Sequence, residues 1–213
     1  MRLRNIPGAR EMLEKDDFVF VETELKKGHW DEVFSRKGPL HIEIGTGKGR
    51  FINELALKNP DINYLGLEKY SSVLIKAMKK LGEEPKDNLR LIRIDATDIT
   101  ECFAYGEVSR IYLNFSDPWP KDRYAKRRLT SERFLSRYEQ ILPKGSCIEF
   151  KTDNNELFEF SVDSVKEKGW EIVYMTRDLY ADSKELEGNI PTEYELKFTR
   201  AGNNINKLIA RFV

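Results

Sequence analysis

Acidic residues stand at the ends of three short apolar runs, beside a segment rich in glycine. Residues 43–49 read Glu-Ile-Gly-Thr-Gly-Lys-Gly, and Glu68 and Asp95 follow the next two apolar runs. Glycine allows positive backbone torsions and a close approach of a ligand to the chain, so we name residues 45–49 the glycine loop. Carboxylates accept charge-assisted hydrogen bonds from ribose hydroxyls. The chemistry that these residues predict is the binding of a cationic ligand that carries a ribose.

The glycine spacing separates this segment from the common nucleotide-binding motifs. A dinucleotide fingerprint needs a longer gap before its last glycine, and a P-loop needs a Gly-Lys-Ser/Thr sequence that is missing here. A nicotinamide dehydrogenase is therefore disfavoured. S-adenosylmethionine carries a sulfonium, an ammonium and a ribose, and we predict it as the cofactor. The predicted cofactor-binding residues are Glu43, Gly45, Gly47, Glu68 and Asp95, and the alternative is a glycine turn with solvated carboxylates.

A second segment that could carry chemistry reads Ser-Asp-Pro-Trp-Pro at residues 116–120. Its two prolines stiffen the turn and fix the directions of Asp117 and Trp119. A dense cluster of lysine and arginine follows, and we name residues 121–128 the basic segment. Taken alone, such a run is more typical of a solvated helix start, but beside a stiffened aromatic turn it predicts contact with a phosphate backbone. Candidates for a second contact of this kind are Arg2, Arg4 and Arg10.

Alternating apolar and amphipathic stretches must position these segments. Strands are predicted over residues 40–44, 62–67, 89–94, 111–115 and 147–150. Helices are predicted over residues 49–58, 71–81, 130–142 and 157–168. Three further strands, without a long helix between them, are predicted over residues 170–176, 192–199 and 207–213.

The alternation of strand and helix indicates parallel strands joined by right-handed crossovers. We therefore predict an α/β fold, a doubly wound, mostly parallel seven-stranded sheet with an antiparallel edge. Ligands bind beyond the carboxyl ends of the strands in such a sheet, which is where the glycine loop and residues 116–120 fall. One domain over residues 1–213 is expected, with an N-terminal arm at 1–36 and the core at 37–213.

Composition limits the possible functions. The 213 residues include 36 basic and 36 acidic side chains, so a nucleic-acid site would depend on local clustering and not on net charge. Cys102 and Cys147 suit a reducing cytosol, and neither belongs to a paired-cysteine motif. His29 and His41 do not have the spacing of metal ligands. The sequence shows neither a signal peptide nor a membrane span. We expect a cytoplasmic protein that is a monomer or a homodimer and needs no metal.

The sequence resembles the bacterial tRNA (guanine-N(7)-)-methyltransferases. The resemblance rests on residues 42–49, 114–121, 126–129, 150–154 and 192–195, which occur in the family's order over nearly the whole chain. The glycine loop alone is common to many methyltransferases, whereas Ser-Asp-Pro-Trp-Pro together with Thr-Glu-Tyr-Glu at 192–195 is more specific. The resemblance implies a Rossmann-like class I fold and methylation of N(7) of the variable-loop guanosine, tRNA position 46.

The resemblance also implies roles for individual residues. Asp117 matches a cofactor-binding acid and the proposed catalytic residue, beside Glu43, Glu68 and Asp95. The implied substrate-binding residues are Lys121, Asp153, Thr192, Glu193, Tyr194 and Glu195. The implied RNA-contacting residues are Arg123, Lys126, Arg127 and Arg128. The sequence departs from many relatives at Tyr124, where they have histidine.

Other interpretations remain open at this level. An amino-group methyltransferase carries a similar Asp/Asn-Pro-Pro-aromatic turn, although the single proline before Trp119 and the basic segment disfavour it. A non-catalytic RNA-binding protein that kept the fold is disfavoured by the intact glycine loop and its acids. Residues 192–195 can also be read as an edge strand with acids pointing outward.

Overall fold

Apolar runs of the sequence form one twisted sheet of eight strands with helices on both faces. The computed structural model describes residues 6–21, 23–82 and 86–213, so Arg2 and Arg4 lie outside the described residues. The strands are β1 (Val19–Phe20), β2 (Leu40–Ile44), β3 (Asn63–Glu68), β4 (Leu89–Arg93), β5 (Arg110–Asn114), β6 (Cys147–Thr152), β7 (Glu171–Thr176) and β8 (Asn206–Arg211).

The strand order is β1-β4-β3-β2-β5-β6-β8-β7. Neighbouring strands from β1 to β6 pair in parallel, and β8 is antiparallel to both β6 and β7. This confirms the predicted doubly wound sheet with an antiparallel edge. Seven of the eight predicted strand segments form, as β2 to β8. The eighth strand of the sheet is β1, which was not predicted and pairs with β4 through two residues only. The order reverses between β2 and β5, and the crevice at such a switch point binds ligands.

The helices are α1 (Ala9–Leu13), α2 (Arg50–Lys58), α3 (Ser71–Gly82), α4 (Ile99–Cys102), α5 (Glu132–Tyr138), α6 (Asn155–Glu167), α7 (Ser183–Glu187) and α8 (Glu193–Arg200). Apolar side chains of α1, α2 and α3 pack on one face of the sheet, and those of α4, α5 and α6 pack on the other. No helix among the described residues combines the length and the apolar content of a membrane span.

Residues 192–199, predicted as a strand, form helix α8, so that prediction was wrong. The Thr192 hydroxyl accepts a hydrogen bond from the Glu195 N–H at 2.9 Å, and the Glu195 carboxylate accepts one from the Thr192 N–H at 3.3 Å. This reciprocal capping box satisfies two backbone donors that a helix start leaves unpaired. The antiparallel edge therefore consists of β7 and β8 alone.

The N-terminal stretch packs into both faces of the sheet. Leu13 and Val19 are buried with α2 and α3, whereas Trp30 and Phe34 are buried with α4 and α5. The Trp30 indole donates a hydrogen bond to the Cys102 carbonyl at 2.7 Å. These contacts make residues 6–21 and 23–36 part of the core of the protein.

Candidate active site

The glycine loop connects β2 to α2 at the carboxyl edge of the sheet. Gly45, Gly47 and Gly49 have φ values of +81°, +59° and +77°, a region that side chains with a Cβ rarely adopt. A Cβ on Gly49 would also lie 2.9 Å from the Leu81 side chain, whereas one on Gly45 would meet no atom within 4 Å. The loop therefore packs tightly where it enters α2 and leaves open space at Gly45.

Glu43 supports the glycine loop from within the sheet. Its carboxylate is 2% exposed and accepts hydrogen bonds from the Thr46 hydroxyl at 2.7 Å and the Asn114 amide at 2.9 Å. Burial raises the pKa of Glu43 to about 7, against the opposing effect of these two hydrogen bonds. The predicted cofactor-binding acid thus joins the glycine loop to the end of β5.

Glu68 ends β3 and contacts the glycine loop from the other side. Its carboxylate accepts hydrogen bonds from the backbone N–H of Gly47 at 3.3 Å and of Tyr70 at 2.9 Å. Burial raises the pKa of Glu68, and the negative charge of Asp117 acts in the same direction. Asp117 follows β5 and therefore lies at the same carboxyl edge of the sheet as Glu68.

Asp95 follows β4, the next strand along the same edge. Its carboxylate accepts hydrogen bonds from the Lys69 ammonium at 2.5 Å and from the Thr97 N–H at 3.0 Å. Partial burial alone would raise the pKa of Asp95, but these hydrogen bonds outweigh it and hold the pKa below its ordinary value. Asp95 is therefore ionised at neutral pH, and a hydrogen bond that it accepts from a hydroxyl donor is charge-assisted.

The hydrogen-bond acceptors at the carboxyl edge of the sheet fit S-adenosylmethionine. The Glu43 and Glu68 carboxylates contact the glycine loop, and Asp95 and Asp117 follow strands β4 and β5 at the same edge. The side-chain oxygen of Asn114 is buried and accepts no hydrogen bond from the described residues, which suits a ligand that brings N–H or O–H donors. No group of three or more metal-ligating side chains occurs in the described parts of the chain.

Residues 115–120, which we name the aspartate loop, leave the end of β5 in a constrained conformation. Phe115 and Trp119 have φ values of +51° and +44°, which bulky side chains avoid unless their surroundings hold them there. Arg128 supplies part of that support, since its guanidinium donates to the Pro118 carbonyl and the Trp119 carbonyl, each at 3.1 Å. The exposed Asp117 carboxylate is therefore carried on a fixed backbone.

The basic segment includes a 3-10 helix over Asp122–Arg127. Its arginine side chains point in two different directions. Arg127 is exposed and lies 4.9 Å from the Trp119 ring and 4.8 Å from the Tyr124 ring. Arg123 lies on the same Tyr124 ring at 4.8 Å. Arg128 instead points inward, over the Phe160 ring at 4.3 Å. The charge of Arg127 is exposed, whereas the Arg128 guanidinium is hydrogen-bonded to the aspartate loop.

Glu195, predicted to bind substrate, is a residue of α8 and is fully buried. Its carboxylate forms an ion pair with the Lys151 ammonium at 2.7 Å and also accepts hydrogen bonds from the Asn189 amide at 2.5 Å and the Tyr180 hydroxyl at 3.3 Å. The Lys151 ammonium lies 5.0 Å from the Phe51 ring of α2, and burial lowers the pKa of Lys151. This network fixes α8 against the sheet.

Helix α8 joins the glycine loop to the aspartate loop. Glu193 pairs with Lys48 of the glycine loop at 3.2 Å. Phe198 stacks with Phe115 of the aspartate loop, with 6.1 Å between ring centroids, and with Tyr194 on its other side at 6.2 Å. Tyr194 is 53% exposed, so this row of rings runs from the aspartate loop to the surface.

The remaining predicted residues lie at the same edge. Lys121 and Lys126 are exposed. Asp153 follows β6, is half-buried and accepts a 3.5 Å hydrogen bond from the Asn203 amide. Sequence reasoning assigned no role to Asn114 or Lys151. Both could have been identified as candidates, because each is a polar residue near the end of an apolar strand.

The parallel sheet, the acid-ringed glycine loop and the aspartate loop together define a methyltransferase of the Rossmann-like class. A family model described as "Putative methyltransferase" matches residues 37–208. The chain belongs to the tRNA (guanine-N(7)-)-methyltransferase family. It is 56% identical over 210 residues to a protein of that name from Lachnoclostridium phytofermentans, covering 99% of this chain and 98% of the relative. It is 49% identical over 213 residues to one from Bacillus cytotoxicus, covering 100% and 97%.

Solved structures of other methyltransferases share the fold at low sequence identity. The 16S rRNA methyltransferase KamB superimposes with a TM-score of 0.63 at 14% identity, covering 87% of this chain and 93% of that one. An antibiotic-related methyltransferase superimposes with a TM-score of 0.62 at 19% identity, covering 84% and 89%. These likenesses concern the arrangement of strands and helices.

Proposed function

We propose that this protein transfers a methyl group from S-adenosylmethionine to N(7) of the variable-loop guanosine, position 46, of tRNA. The observation that carries the proposal is the identity, 56% over almost the full length, to a protein named for this reaction. The geometry supports the chemistry, because a cation-binding edge and a rigid exposed carboxylate lie side by side. We place the activity in the cytoplasm, in a single-domain protein that is a monomer or a homodimer.

In this proposal the glycine loop and its acids hold the cofactor. Gly45 and Gly47 leave room for it, Glu68 and Asp95 accept its hydrogen bonds, and Glu43 adds negative charge from behind the loop. When bound, S-adenosylmethionine supplies an electrophilic methyl group on a sulfonium. The protein's part is to hold the guanine in line with that group, and alignment of this kind is worth roughly 7–11 kcal/mol in intramolecular reactions.

Asp117 acts on the charge that develops in the base. The N(7) atom of guanine has an in-plane lone pair and no proton, so it needs no general base. Methylation makes the purine positive and its N(1)–H more acidic, and a carboxylate near that edge is favoured more in the transition state than in the ground state. Asp117 and Asp153 are the accessible carboxylates for this role, since Glu195 is committed to Lys151.

The remaining residues bind the tRNA. The target base must leave its stack to reach the cofactor, at a cost of a few kcal/mol. Lys121, Arg123, Lys126 and Arg127 hold the phosphate backbone beside the opening, and Trp119 and Tyr124 brace the site. Thr192, Glu193 and Glu195 shape the wall that α8 forms, from which Tyr194 faces the substrate.

The test is identification of the product. Unmodified tRNA transcript and methyl-labelled S-adenosylmethionine are incubated with the protein, and the digested RNA is analysed by mass spectrometry. We expect labelled 7-methylguanosine that disappears when the variable-loop guanosine is replaced by adenosine. Methyl-labelled adenosine or an N(2)-methylated guanosine would move the protein to the amino-group methyltransferases, and the absence of label would overturn the tRNA assignment.

Variants of Asp117 test the catalytic role. We expect Asp117→Ala and Asp117→Asn to lower kcat by about 10²-fold or more, in the range found when one transition-state partner is removed. The matched control is Asp163→Asn, which neutralises an exposed carboxylate on the outer surface of α6. Wild-type turnover in both Asp117 variants would exclude this residue from the reaction.

A further inference from the structure

A cleft of about 550 Å³ opens beside α8. Its walls come from the first residue of α2 and from one side of α8. The residues that line this α8 cleft are Arg50, Glu193, Leu196, Lys197, Arg200 and Ala201. Because Arg50 directly follows the glycine loop, the cleft adjoins the proposed cofactor site.

The α8 cleft has an excess of positive charge. Its one acid, Glu193, is shared between Lys48 at 3.2 Å and Lys80 at 3.7 Å. Within the described residues, none of the three cleft cations, Arg50, Lys197 and Arg200, forms an ion pair with a carboxylate. Like charges gathered without counter-charges raise the local potential and attract an anionic partner.

The α8 cleft and the basic segment lie on opposite faces of the sheet. The basic segment leads into α5, and Arg128 packs on Phe160 of α6, on the face that holds α4, α5 and α6. Helix α8 lies over Lys151, whose ammonium contacts Phe51 of α2 on the other face. The aspartate loop lies between the two, since Phe115 stacks on α8 while Trp119 contacts the basic segment.

We propose that Arg50, Lys197 and Arg200 form a second binding surface for the tRNA backbone, so that phosphates are held on both sides of the target base. The inference rests on the proposed function. A strand of RNA that delivers a base to the edge must continue past it in both directions, and it meets cations on either face. The exposed Tyr194 ring on the same helix adds a face on which a base can stack.

The test compares two double variants that remove the same charge. Lys197→Ala/Arg200→Ala removes two cations of the α8 cleft, and both side chains are exposed on a helix where alanine is well tolerated. Lys58→Ala/Lys144→Ala removes two exposed cations at the opposite edge of the sheet. For each protein the affinity for tRNA transcript is measured against salt concentration, together with S-adenosylmethionine affinity and the KM and kcat for tRNA.

We expect the α8 variant to bind tRNA more weakly and to reduce the slope of log K against log salt by about 1 for each phosphate that is no longer neutralised. Its KM for tRNA should rise while kcat and S-adenosylmethionine affinity stay near wild type, and Arg50→Gln should show the same pattern from a different helix. An unchanged slope in both α8-cleft variants, or an equal change in the Lys58/Lys144 control, would overturn the inference. Failure of the wild-type protein to bind tRNA would instead overturn the proposed function.

Discussion

Glu43 shows how one buried residue can connect cofactor binding to proton binding. The carboxyl is surrounded by protein, so the charged form is disfavoured until a cation arrives. Between the ordinary Glu pKa and about 7, the folded protein keeps a proton that the unfolded chain has lost. The contribution of Glu43 to the free energy of unfolding therefore falls as pH rises through this window. A cationic ligand should lower the pKa of Glu43, because it favours the ionised carboxylate.

We therefore expect S-adenosylmethionine affinity to rise by about tenfold between pH 6 and pH 8, as a site titrating near 7 requires. Isothermal titration calorimetry in two buffers of different ionisation enthalpy would also detect a proton released on binding at pH 6. The pKa of Glu68 is raised as well, so Glu43→Gln is needed to assign the effect. The same pH dependence in Glu43→Gln would show that another group is responsible.

At the scale of elements, neighbouring arginines of the basic segment have two different structural roles. Arg127 and Arg128 are adjacent and chemically identical, so composition and spacing predicted RNA contact for both. The fold separates them, because Arg127 is exposed above the Trp119 ring while Arg128 turns to the carbonyls of Pro118 and Trp119. Only one of the two guanidiniums is available to a phosphate in this arrangement.

Single variants should distinguish the role of Arg127 in tRNA binding from the role of Arg128 in supporting the aspartate loop. We expect Arg127→Ala to weaken tRNA binding and to lower its salt slope by about 1, with S-adenosylmethionine affinity unchanged. Arg128→Ala should lower kcat at saturating tRNA, because the constrained aspartate loop then lacks the two hydrogen bonds from the guanidinium. Arg128→Lys keeps the charge but not the forked geometry, so it should also be slow. Wild-type kcat in Arg128→Lys would contradict a positioning role.

Helix α8 marks the limit of pattern reasoning along the chain. Tyr194, Leu196 and Phe198 alternate with polar residues, as the apolar face of a strand does. The Thr-x-x-Glu signature at Thr192 and Glu195 points to a helix start, and it outweighs the alternation. Strands β2 to β6 were predictable because buried parallel strands are continuous apolar runs. The partner of Lys151, 44 positions along the chain, has no local signal.

At the scale of the whole molecule, the first 36 residues belong to the packed structure wherever the structure describes them. Their sequence has no clear periodicity, so it predicted an N-terminal arm separate from the core. Their burial comes from single large side chains and not from a long amphipathic element. Trp30 is 1% exposed and contacts Phe20 and Phe103.

We expect Trp30→Ala to lower the free energy of unfolding by about 3–5 kcal/mol, the usual cost of truncating a buried aromatic side chain. For a domain of this size, that corresponds to a Tm lower by about 6–20 °C. Urea denaturation followed by circular dichroism measures the change, and Trp30→Phe, which keeps most of the packing, should be destabilised much less. A decrease below about 1 kcal/mol in Trp30→Ala would mean that the N-terminal stretch is only loosely attached.

Glu43 and Glu68 beside the glycine loop are buried, whereas Arg127 of the basic segment and Lys197 and Arg200 of the α8 cleft are exposed. Mobile ions screen exposed charges far more than enclosed ones. A rise in salt concentration would therefore weaken tRNA binding more than S-adenosylmethionine binding. The protein would then keep S-adenosylmethionine bound between successive tRNA molecules. The ionic strength would set how long each tRNA stays bound.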